Sequence, residues 1–432
     1  MNAASLADAL IDRGLDPAER DAKRTLFASV LDAWGQARRD TPQHAWWVPG
    51  RLEVFGKHTD YGGGRALVAA APRGFAVVAG PRSDAGVRVI DAGRGESLEL
   101  LPSPLTAAAT RTECLTGWRR YVDVAARRLA RNFSGQELGA DIVLASDLPP
   151  AAGMSSSSAL LIAIAEALVR VGGVTKTPEW KQNIRSPLDT AAYYACIENG
   201  RDFAGLTGDG GVGTHGGSED HSAILNGRAG HLLGFAFVPS RALGAARVPA
   251  DWHFVVATSG VKAKKTGGAR DAYNQLSADA AALLEMWNGR GAGGPRAISL
   301  AAAVERPDWA ETLRAMSGSL EPRLQHFIRE DARIPEAMEA FARADKDALA
   351  RLSRESQSDA ERLLGNQIPE TIALVSAARK AGAFAASSFG AGFGGAAWAL
   401  VEGPSAEHFC RKWGRDAFAS RPGPALTELP TK

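Results

Sequence analysis

Four consecutive serines, Ser155, Ser156, Ser157 and Ser158, mark the segment of this sequence best suited to chemistry. They follow Gly153 in the stretch LPPAAGMSSSSAL, between an apolar run that predicts a strand and one that predicts a helix over residues 157–171. The first N–H groups of a helix lack partners and carry partial positive charge. With a glycine for close approach and hydroxyls as donors, the pattern predicts a phosphate cradle. A simple helix cap is the alternative, although one serine would suffice for it.

A second polar segment, PGRLEVFGKHTDYGGG at residues 49–64, brings charged and hydroxylated side chains among glycines. These side chains are Arg51, Lys57, His58, Asp60 and Tyr61. Burying them is costly unless they bind something, so the segment predicts a binding turn, with a polar surface turn as the alternative. Its Gly-Lys pair suggests a Walker A loop, but five residues separate the glycines and a histidine stands where serine or threonine belongs, so we reject that interpretation.

Two further segments are rich in glycine. Residues 387–395, SSFGAGFGG, precede an apolar run and allow close packing of backbone, which alone is weak evidence for a ligand site. Residues 205–217, GLTGDGGVGTHGG, are either a mobile lid or a flexible insertion, and we favour an insertion.

Helices and strands of mixed order must position these segments. Residues 1–40 show helical spacing of apolar side chains with a break near 14–17, and residues 44–101 contain short β-rich runs between turns. Helices are predicted over residues 118–131, 190–204, 301–304, 323–333, 334–343, 347–357 and 369–380, and strands over 141–145, 254–258 and 397–402. Because strands and helices do not alternate steadily, the pattern favours the α+β class.

Composition narrows the class of protein without naming a function. The chain has 432 residues, enough for two domains, and a formal net charge of only +2, which indicates neither nucleic-acid nor membrane binding. Three widely spaced cysteines form no metal or disulfide pattern and favour a reducing compartment. The N-terminus does not resemble a signal peptide, and the most apolar run, 159–169, is too short to span a bilayer. A cytoplasmic protein is therefore expected.

The order and spacing of the three ligand-type segments, PGR…GKHTDYGGG, LPPAAGMSSSSAL and GAGFGG, resemble the GHMP kinase superfamily. HTDY followed by glycines resembles its galactokinase branch, and TGWRRYV is similar to the family's tryptophan-containing helix near the nucleotide. The resemblance implies two α+β domains with the active site in the cleft between them. We expect these domains at residues 41–235 and 236–432, after a helical extension at residues 1–40. It also implies transfer of the γ-phosphoryl group of ATP to a small sugar.

The resemblance further implies roles for individual residues. Nucleotide binding falls to Trp118, Gly153, Met154, Ser155, Ser156, Ser157, Ser158, Gly392 and Gly394. Mg²⁺ would be held by Ser157 and Glu198, a plausible set because Mg²⁺ keeps several waters. Asp220, in GGSEDHSAIL, would accept or orient the sugar hydroxyl proton, and Arg51 would stabilise the developing charge. The interval after Glu198 is longer than the family's, so Glu219 is the alternative to Asp220.

Sugar binding is implied for Lys57, His58, Asp60, Tyr61, Gly217 and either Arg270 or Tyr273, with an ungapped alignment favouring Arg270. The family's GEHTDY reads GKHTDY here, so Lys57 replaces an acid. A pocket made more positive by Lys57 and Arg270 would suit the carboxylate of a uronic acid. Alternatively, Lys57 bonds neutral hydroxyls or pairs with Glu53 or another acid.

Three functions are compatible with these residues. The first is a sugar 1-kinase that acts on the anomeric hydroxyl of galactose. The second is a 1-kinase for another acceptor, such as arabinose, a uronic acid or a heptose. The third is a catalytically silent regulator that binds ATP and sugar, but a regulator would not need Arg51, Asp220, Ser157 and Glu198 together.

Overall fold

The computed structural model describes residues 1–100, 115–149, 153–261, 268–289, 296–414 and 416–431. Residues 150–152 of the serine segment and Cys114 lie outside the described residues. The helices are α1 Ala3–Asp12, α2 Arg20–Ala37, α3 Trp118–Asn132, α4 Ser156–Val171, α5 Pro178–Asn183, α6 Pro187–Asn199, α7 Glu219–Asn226, α8 Gly268–Asn288, α9 Leu300–Val304, α10 Trp309–Ser317, α11 Glu321–Ala342, α12 Lys346–Asp359, α13 Pro369–Ala381 and α14 Ala406–Trp413. The strands are β1 His44–Phe55, β2 Arg65–Pro81, β3 Val87–Asp91, β4 Glu96–Leu100, β5 Ala140–Ser146, β6 His231–Ala236, β7 Arg241–Arg247, β8 Trp252–Thr258, β9 Ala385–Phe389, β10 Ala396–Glu402, β11 Phe418–Ser420 and β12 Thr427–Glu428.

The larger sheet has eight strands, with β12-β1-β2-β5-β3-β4 along its main path and β6 and β7 continuing from β2. The β3–β5 pair is parallel and the other pairs are antiparallel. Along β1, Trp46 and Val48 join one hydrophobic core while Ala45 and Trp47 join another. Successive strand residues point to opposite faces, so the continuous burial of β1 after His44 reflects a sheet covered on both sides.

Helices α1 and α2 cover one face of this sheet. Leu10, Phe27, Val30 and Trp34 are buried there against Trp47 and its neighbours from β2 and β5. This confirms the helices predicted within residues 1–40, including the break between them. The opposite face is covered by α4, whose residues from Ser158 to Val169 are all buried.

The smaller sheet is antiparallel, with strand order β11-β8-β10-β9. Helices α13 and α14 pack on it through Val375, Ala378, Phe409 and Trp413. The glycine segment predicted at residues 387–395 is the turn between β9 and β10. Its position at the end of both strands lets it reach the serine segment of the larger sheet.

Three helical predictions need correction. The helix predicted to 204 ends at Asn199, because Gly200 adopts a left-handed backbone with φ of 83°. The two helices predicted at 323–333 and 334–343 form one helix, α11, with Pro335 inside it. Ile334 and Phe341 continue the buried face begun by Phe327, and this burial outweighs the cost of an internal proline, about 3 kcal/mol.

The sheets also cross the expected domain boundary. Residue 235 lies inside β6, which pairs with both β2 and β7 of the larger sheet, and β12 returns to pair with β1. Strands β6, β7, β9, β11 and β12 were not predicted from the sequence. Among the described residues, no helix is long and apolar enough to cross a membrane.

Phe27→Ala should lower the free energy of unfolding by about 3–5 kcal/mol, because a fully buried ring is lost from the core beneath α2. Urea denaturation measures the change. The exposed Asp32→Ala in the same helix is the control and should change stability by no more than about 0.5 kcal/mol. Equal stability of the two variants would contradict the packing described here.

Candidate active site

The serine segment turns sharply before α4. Gly153 and Ser155 both have left-handed backbones, with φ of 68° and 57°, and the Ser155 side chain forms no capping hydrogen bond. A Cβ at Gly153 would lie 3.1 Å from the carbonyl oxygen of Phe389, so the glycine permits close contact with the β9–β10 turn. The first N–H groups of α4 are therefore not occupied by the predicted alternative, a simple cap by Ser155.

A cavity of about 730 Å³, here called the serine cavity, opens at this helix start. Its lining comprises Arg51, Tyr121, Gly153, Ser155, Ser156, Ser157, Asp220, Phe389, Ala391, Gly392, Gly394 and Gly395. It therefore combines two of the predicted ligand segments, since the glycine turn lies opposite the three serines. Tyr121 was not predicted, although it stands in the TGWRRYV stretch.

Two residues predicted to bind nucleotide lie elsewhere. Trp118 is not among the described lining residues, and its Nε1 donates a hydrogen bond to Glu96 at 2.9 Å. Tyr121, one turn further along α3, faces the cavity instead. Met154 is buried in the hydrophobic core, and its carbonyl oxygen accepts a hydrogen bond from the Arg51 N–H at 3.0 Å. Both placements reflect side-chain direction, which motif spacing alone does not determine, and nucleotide binding by Trp118 and Met154 stays a prediction.

A second cavity of about 570 Å³, the acidic cavity, adjoins the first. It is lined by Arg51, Glu53, His58, Asp60, Tyr61, Ser158, Ala195, Glu198, Asn199, Thr214, Gly216, Gly217, Glu219, Asp220, His221, Tyr273, Gly390 and Ala391. The two cavities share Arg51, Asp220 and Ala391. A ligand in one cavity would therefore meet a ligand in the other beside Arg51 and Asp220.

Arg51 and Asp220 form an ion pair at this junction. The Arg51 Nε donates to Asp220 Oδ1 at 2.7 Å, and its second guanidinium nitrogen lies 2.5 Å from the same oxygen. Glu219 and Glu53 lie 3.4 and 3.5 Å from the guanidinium. Burial opposes the charged form, but the three carboxylates outweigh it and raise the pKa of Arg51 above its ordinary value.

The geometry places Ser158 in the acidic cavity and distinguishes Asp220 from its alternative, Glu219. Ser158 lines the acidic cavity rather than the serine cavity, and its hydroxyl donates to Asp220 Oδ2 at 3.3 Å. The Asp220 side chain is 20% exposed and lines both cavities, whereas that of Glu219 is 6% exposed and lines one. This geometry favours Asp220 over Glu219 as the group that meets both ligands.

The HTDY segment forms one wall of the acidic cavity. The Asp60 carboxylate accepts hydrogen bonds from the N–H groups of Tyr61 and Glu219, at 2.9 and 3.2 Å, and burial raises the pKa of Asp60. His58 Nε2 donates to the Ala391 carbonyl at 3.1 Å, and Nδ1 lies 2.9 Å from the Tyr61 hydroxyl. His58 thus joins this wall to the glycine turn of the serine cavity.

The glycine-rich segment at residues 205–217 contacts the end of α6 through its backbone. The Val212 N–H donates to the carbonyl of Glu198 at 2.8 Å, which anchors the segment on the end of α6. A Cβ at Gly211 would lie 2.5 Å from that same carbonyl oxygen, so glycine is needed for this contact. Gly217, at the end of the segment, lines the acidic cavity as predicted.

Lys57 and Arg270 are not among the described residues that line either cavity. Lys57 is 1% exposed, its Nζ donates to Ser356 Oγ at 2.7 Å, and it lies 3.9 Å from Glu330. The Arg270 side chain is 38% exposed and lies 3.6 Å from Asp271. Tyr273 lines the acidic cavity instead, with its ring 5.4 Å from that of His58. This placement favours the alternative interpretations, a buried acid partner for Lys57 and a pocket Tyr273, while the sugar-binding roles stay predictions.

Glu330 explains why a lysine is tolerated next to His58. Burial would raise the pKa of Glu330, but Lys57 and Arg333 lower it to about 2, so the carboxylate stays charged. Its Oε1 also accepts hydrogen bonds from the Gly56 N–H at 3.0 Å and from Ser356 Oγ at 2.9 Å. Glu330 therefore fixes the backbone of the GKHTDY turn from behind the cavity.

Comparison with known proteins agrees with this geometry. A profile of the GHMP kinases N terminal domain matches residues 120–195, and one of the GHMP kinases C terminal matches residues 337–420. A galactokinase galactose-binding signature matches residues 36–81. The chain therefore resembles the GHMP kinase superfamily in both its N-terminal and its C-terminal parts. This confirms the resemblance predicted from the sequence, including its galactokinase-like branch.

The relatives of this chain include named galactokinases. That of Roseiflexus sp. (strain RS-1) is 29% identical over 84% of both chains, and that of Streptomyces coelicolor is 27% identical over 88% of this chain and 89% of the relative. Among solved structures, Lactococcus lactis galactokinase complexed with galactose has a TM-score of 0.74 at 20% identity, covering 93% of this chain and 100% of that chain. Methanococcus jannaschii mevalonate kinase has a TM-score of 0.57 at 16% identity, covering 88% and 98%. These structures confirm the predicted α+β fold.

Ser157 and Glu198 are the expected magnesium ligands. Burial and the charge of Glu198 raise the pKa of Tyr121 whereas Ser157 lowers it, so Ser157 and Glu198 both lie near this tyrosine. His221 Nε2 lies 3.2 Å from Glu198. A hydroxyl and a carboxylate are hard oxygen donors that fit Mg²⁺. The described residues contain no cluster of three or more His, Cys, Asp or Glu that could hold a metal, so waters and nucleotide oxygens would supply the other ligands.

Gly217→Ala should disrupt the acidic cavity, because the added Cβ would lie 2.3 Å from Asp60 Oδ2. We expect kcat/KM for galactose to fall by about 100-fold, the scale for displacing a group that positions substrate, while ATP affinity is unchanged. Steady-state assays and calorimetry measure the two effects. Gly210→Ala is the matched control, because nothing lies within 4 Å of its added Cβ. Equal kinetics for the two variants would refute the Gly217–Asp60 contact.

Lys57→Met should lower the free energy of unfolding by about 3–5 kcal/mol, because Glu330 would remain buried with less compensating charge. Adding Glu330→Gln should recover part of the loss. Urea denaturation of both variants tests this coupling. Lys346→Met breaks an exposed pair with Glu402 and should cost no more than about 1 kcal/mol. If the Lys57→Met protein were as stable as the Lys346→Met control, the buried Lys57–Glu330 pair would not stabilise the fold.

Proposed function

We propose that this protein transfers the γ-phosphoryl group of ATP to the anomeric hydroxyl of galactose or a related neutral monosaccharide. The observation that carries the proposal is the junction of the serine and acidic cavities at Arg51 and Asp220. A kinase must bring a phosphate and an alcohol together at one pair of charged groups. The galactose-binding signature over residues 36–81 and the galactokinase relatives support galactose as the leading acceptor.

The serine cavity suits the ATP phosphates. The start of α4 directs backbone N–H groups and the hydroxyls of Ser155, Ser156 and Ser157 toward the cavity, and the glycine turn leaves room for the nucleotide opposite. Mg²⁺ held by Ser157 and Glu198 would neutralise phosphate charge when bound. The protein's own contribution is to hold the nucleotide with its terminal phosphate facing Arg51.

Asp220 and Arg51 divide the remaining work by charge. Asp220 accepts or orients the proton of the sugar hydroxyl, and Ser158 and Arg51 fix its carboxylate in place. The Arg51 guanidinium stabilises both the attacking oxygen and the charge spread over the transferring group. Phosphoryl transfer depends mainly on positioning, so Asp220 needs no large pKa rise for this role.

The acidic cavity favours a neutral acceptor over a uronic acid. Among its described lining residues, Arg51 is the only arginine or lysine. It is outnumbered by carboxylates from Glu53, Asp60, Glu198, Glu219 and Asp220. Carboxylates accept hydrogen bonds from sugar hydroxyls but repel an acceptor carboxylate. The uronic-acid hypothesis depended on Lys57 and Arg270, neither of which faces this cavity.

The division into domains is part of this proposal. Arg51, the serines and Asp220 belong to elements of the larger sheet and its helices, whereas the glycine turn joins β9 and β10 of the smaller sheet. We therefore propose that the cavities lie in a cleft between two α+β domains, with the expected boundary near residue 235. The larger unit would also include β6, β7 and β12.

A panel of sugars tested for ADP release distinguishes the candidate functions. Galactose turnover supports the proposal, turnover of arabinose or a heptose instead changes the acceptor, and binding of ATP and sugar without any turnover favours a silent regulator. Preferential turnover of galacturonate would contradict the neutral-acceptor argument.

Asp220→Asn should lower kcat by about 100- to 10,000-fold, because asparagine keeps the shape of the side chain but cannot take the hydroxyl proton. Calorimetry should show ATP affinity within about threefold of the unchanged protein, since under 1 kcal/mol of binding is at stake. Asp21→Asn, whose side chain is 83% exposed on α2, is the control. Normal turnover by Asp220→Asn would show that another group carries this role.

A further inference from the structure

Glu53 and Glu219 are two buried acids at the junction that phosphoryl transfer leaves without a role. Glu53 lies on β1 two residues after Arg51, and Glu219 opens α7 beside Asp220. They are 3% and 4% exposed, and both line the acidic cavity. The carboxylates of Glu53 and Glu219 lie at similar distances from the Arg51 guanidinium, 3.5 and 3.4 Å. A carboxyl group in this position acts directly on the charge of Arg51.

The hydrogen bonding of the two acids is incomplete. Glu53 Oε2 accepts a hydrogen bond from the Gly390 N–H at 3.3 Å. Glu53 Oε1 and Glu219 Oε1 are buried and have no hydrogen-bond partner among the described residues. Leaving a carboxylate oxygen buried and unsatisfied is costly, and a proton is the simplest way to reduce that cost.

The surrounding charges also favour a protonated carboxyl group at this place. Glu219 faces Glu53, Arg51, Asp60 and Asp220, and Glu53 also faces Lys57 and Glu330. Lys57 is already engaged by Glu330 and Ser356, which leaves Arg51 to balance its three nearest carboxylates. Burial and the neighbouring Glu53 raise the pKa of Glu219 well above its ordinary value, and burial raises the pKa of Glu53 despite Arg51.

We propose that Glu53 and Glu219 share one proton at neutral pH and act as positioning residues that keep Arg51 available to the transferring phosphoryl group. With the proton in place, Arg51 faces Asp220 and one further negative charge. Loss of the proton places three carboxylates around one guanidinium, and the excess negative charge repels the phosphoryl oxygens that Arg51 must hold. The catalytic part of this inference rests on the proposed kinase function, whereas the shared proton itself does not.

The pH dependence of kcat with saturating ATP and sugar tests the catalytic part. In the unchanged protein, kcat should fall by about tenfold or more between pH 7 and pH 9 as the pair loses its proton. Glu219→Gln cannot lose that proton, so its ratio of kcat at the two pH values should change by less than about twofold. Glu407→Gln, at a side chain that is 92% exposed, should keep the profile of the unchanged protein. Parallel profiles for all three proteins would overturn the assignment.

The pH dependence of stability tests the proton without any sugar. A carboxyl whose pKa is raised by folding contributes stability that is complete below its unfolded pKa, about 4.3 for glutamate, and is lost as pH rises through the folded value. The midpoint of urea denaturation should therefore fall between pH 5 and pH 8 more steeply in the unchanged protein than in Glu219→Gln. Glu53→Gln provides a second variant with the same expectation should Glu219→Gln fail to fold.

The two measurements separate the inference from the proposed function. A flattened stability profile in Glu219→Gln, together with no turnover of any sugar, would keep the shared proton and reject the kinase proposal. Galactose turnover with identical stability profiles in Glu219→Gln, Glu53→Gln and the Glu407→Gln control would keep the kinase and reject the shared proton.

Discussion

The ion pair between Arg51 and Asp220 is the interaction on which the rest of the site depends. Arg51 extends from β1 of the larger sheet, and Asp220 lies in the first turn of α7. The same arginine binds the backbone before α4, through its N–H to the Met154 carbonyl and its side chain to the Gly153 carbonyl at 3.2 Å. One side chain therefore fixes a strand, a helix start and the serine turn relative to one another, and both cavities follow from that arrangement.

A guanidinium so enclosed by acids is a compromise between stability and reactivity. Each added carboxylate holds Arg51 more firmly, yet a fully neutralised arginine would have little attraction left for a phosphoryl group. Glu53 and Glu219 add to this conflict, because each has a buried carboxylate oxygen that no donor among the described residues reaches. The position of these acids thus connects the packing of the cleft with the electrostatics of the reaction.

The sequence was informative where function needs a run of adjacent residues. The three serines, the glycine turn, Arg51 and Asp220 could be found because a loop that surrounds phosphate leaves a local pattern. Lys57 could not be understood in this way, because its partner Glu330 lies 273 residues away along the chain. Side-chain direction in the turns also remained hidden, which is why Tyr121 and Tyr273 replace Trp118 and Arg270.

The fold shows the same contrast between local and distant information. The apolar runs of β1, β2 and β5 and the amphipathic helices α1 and α2 were predictable from periodicity. Strand β6 was not, because its pairing with β2 depends on residues more than 150 positions earlier in the chain, and β7 joins the sheet only through β6. The pairing of β12 with β1 is more distant still, since Glu428 lies opposite Trp46. During synthesis on the ribosome, that edge of β1 lacks its β12 partner until nearly four hundred further residues have been added, which leaves unpaired backbone groups in the nascent chain.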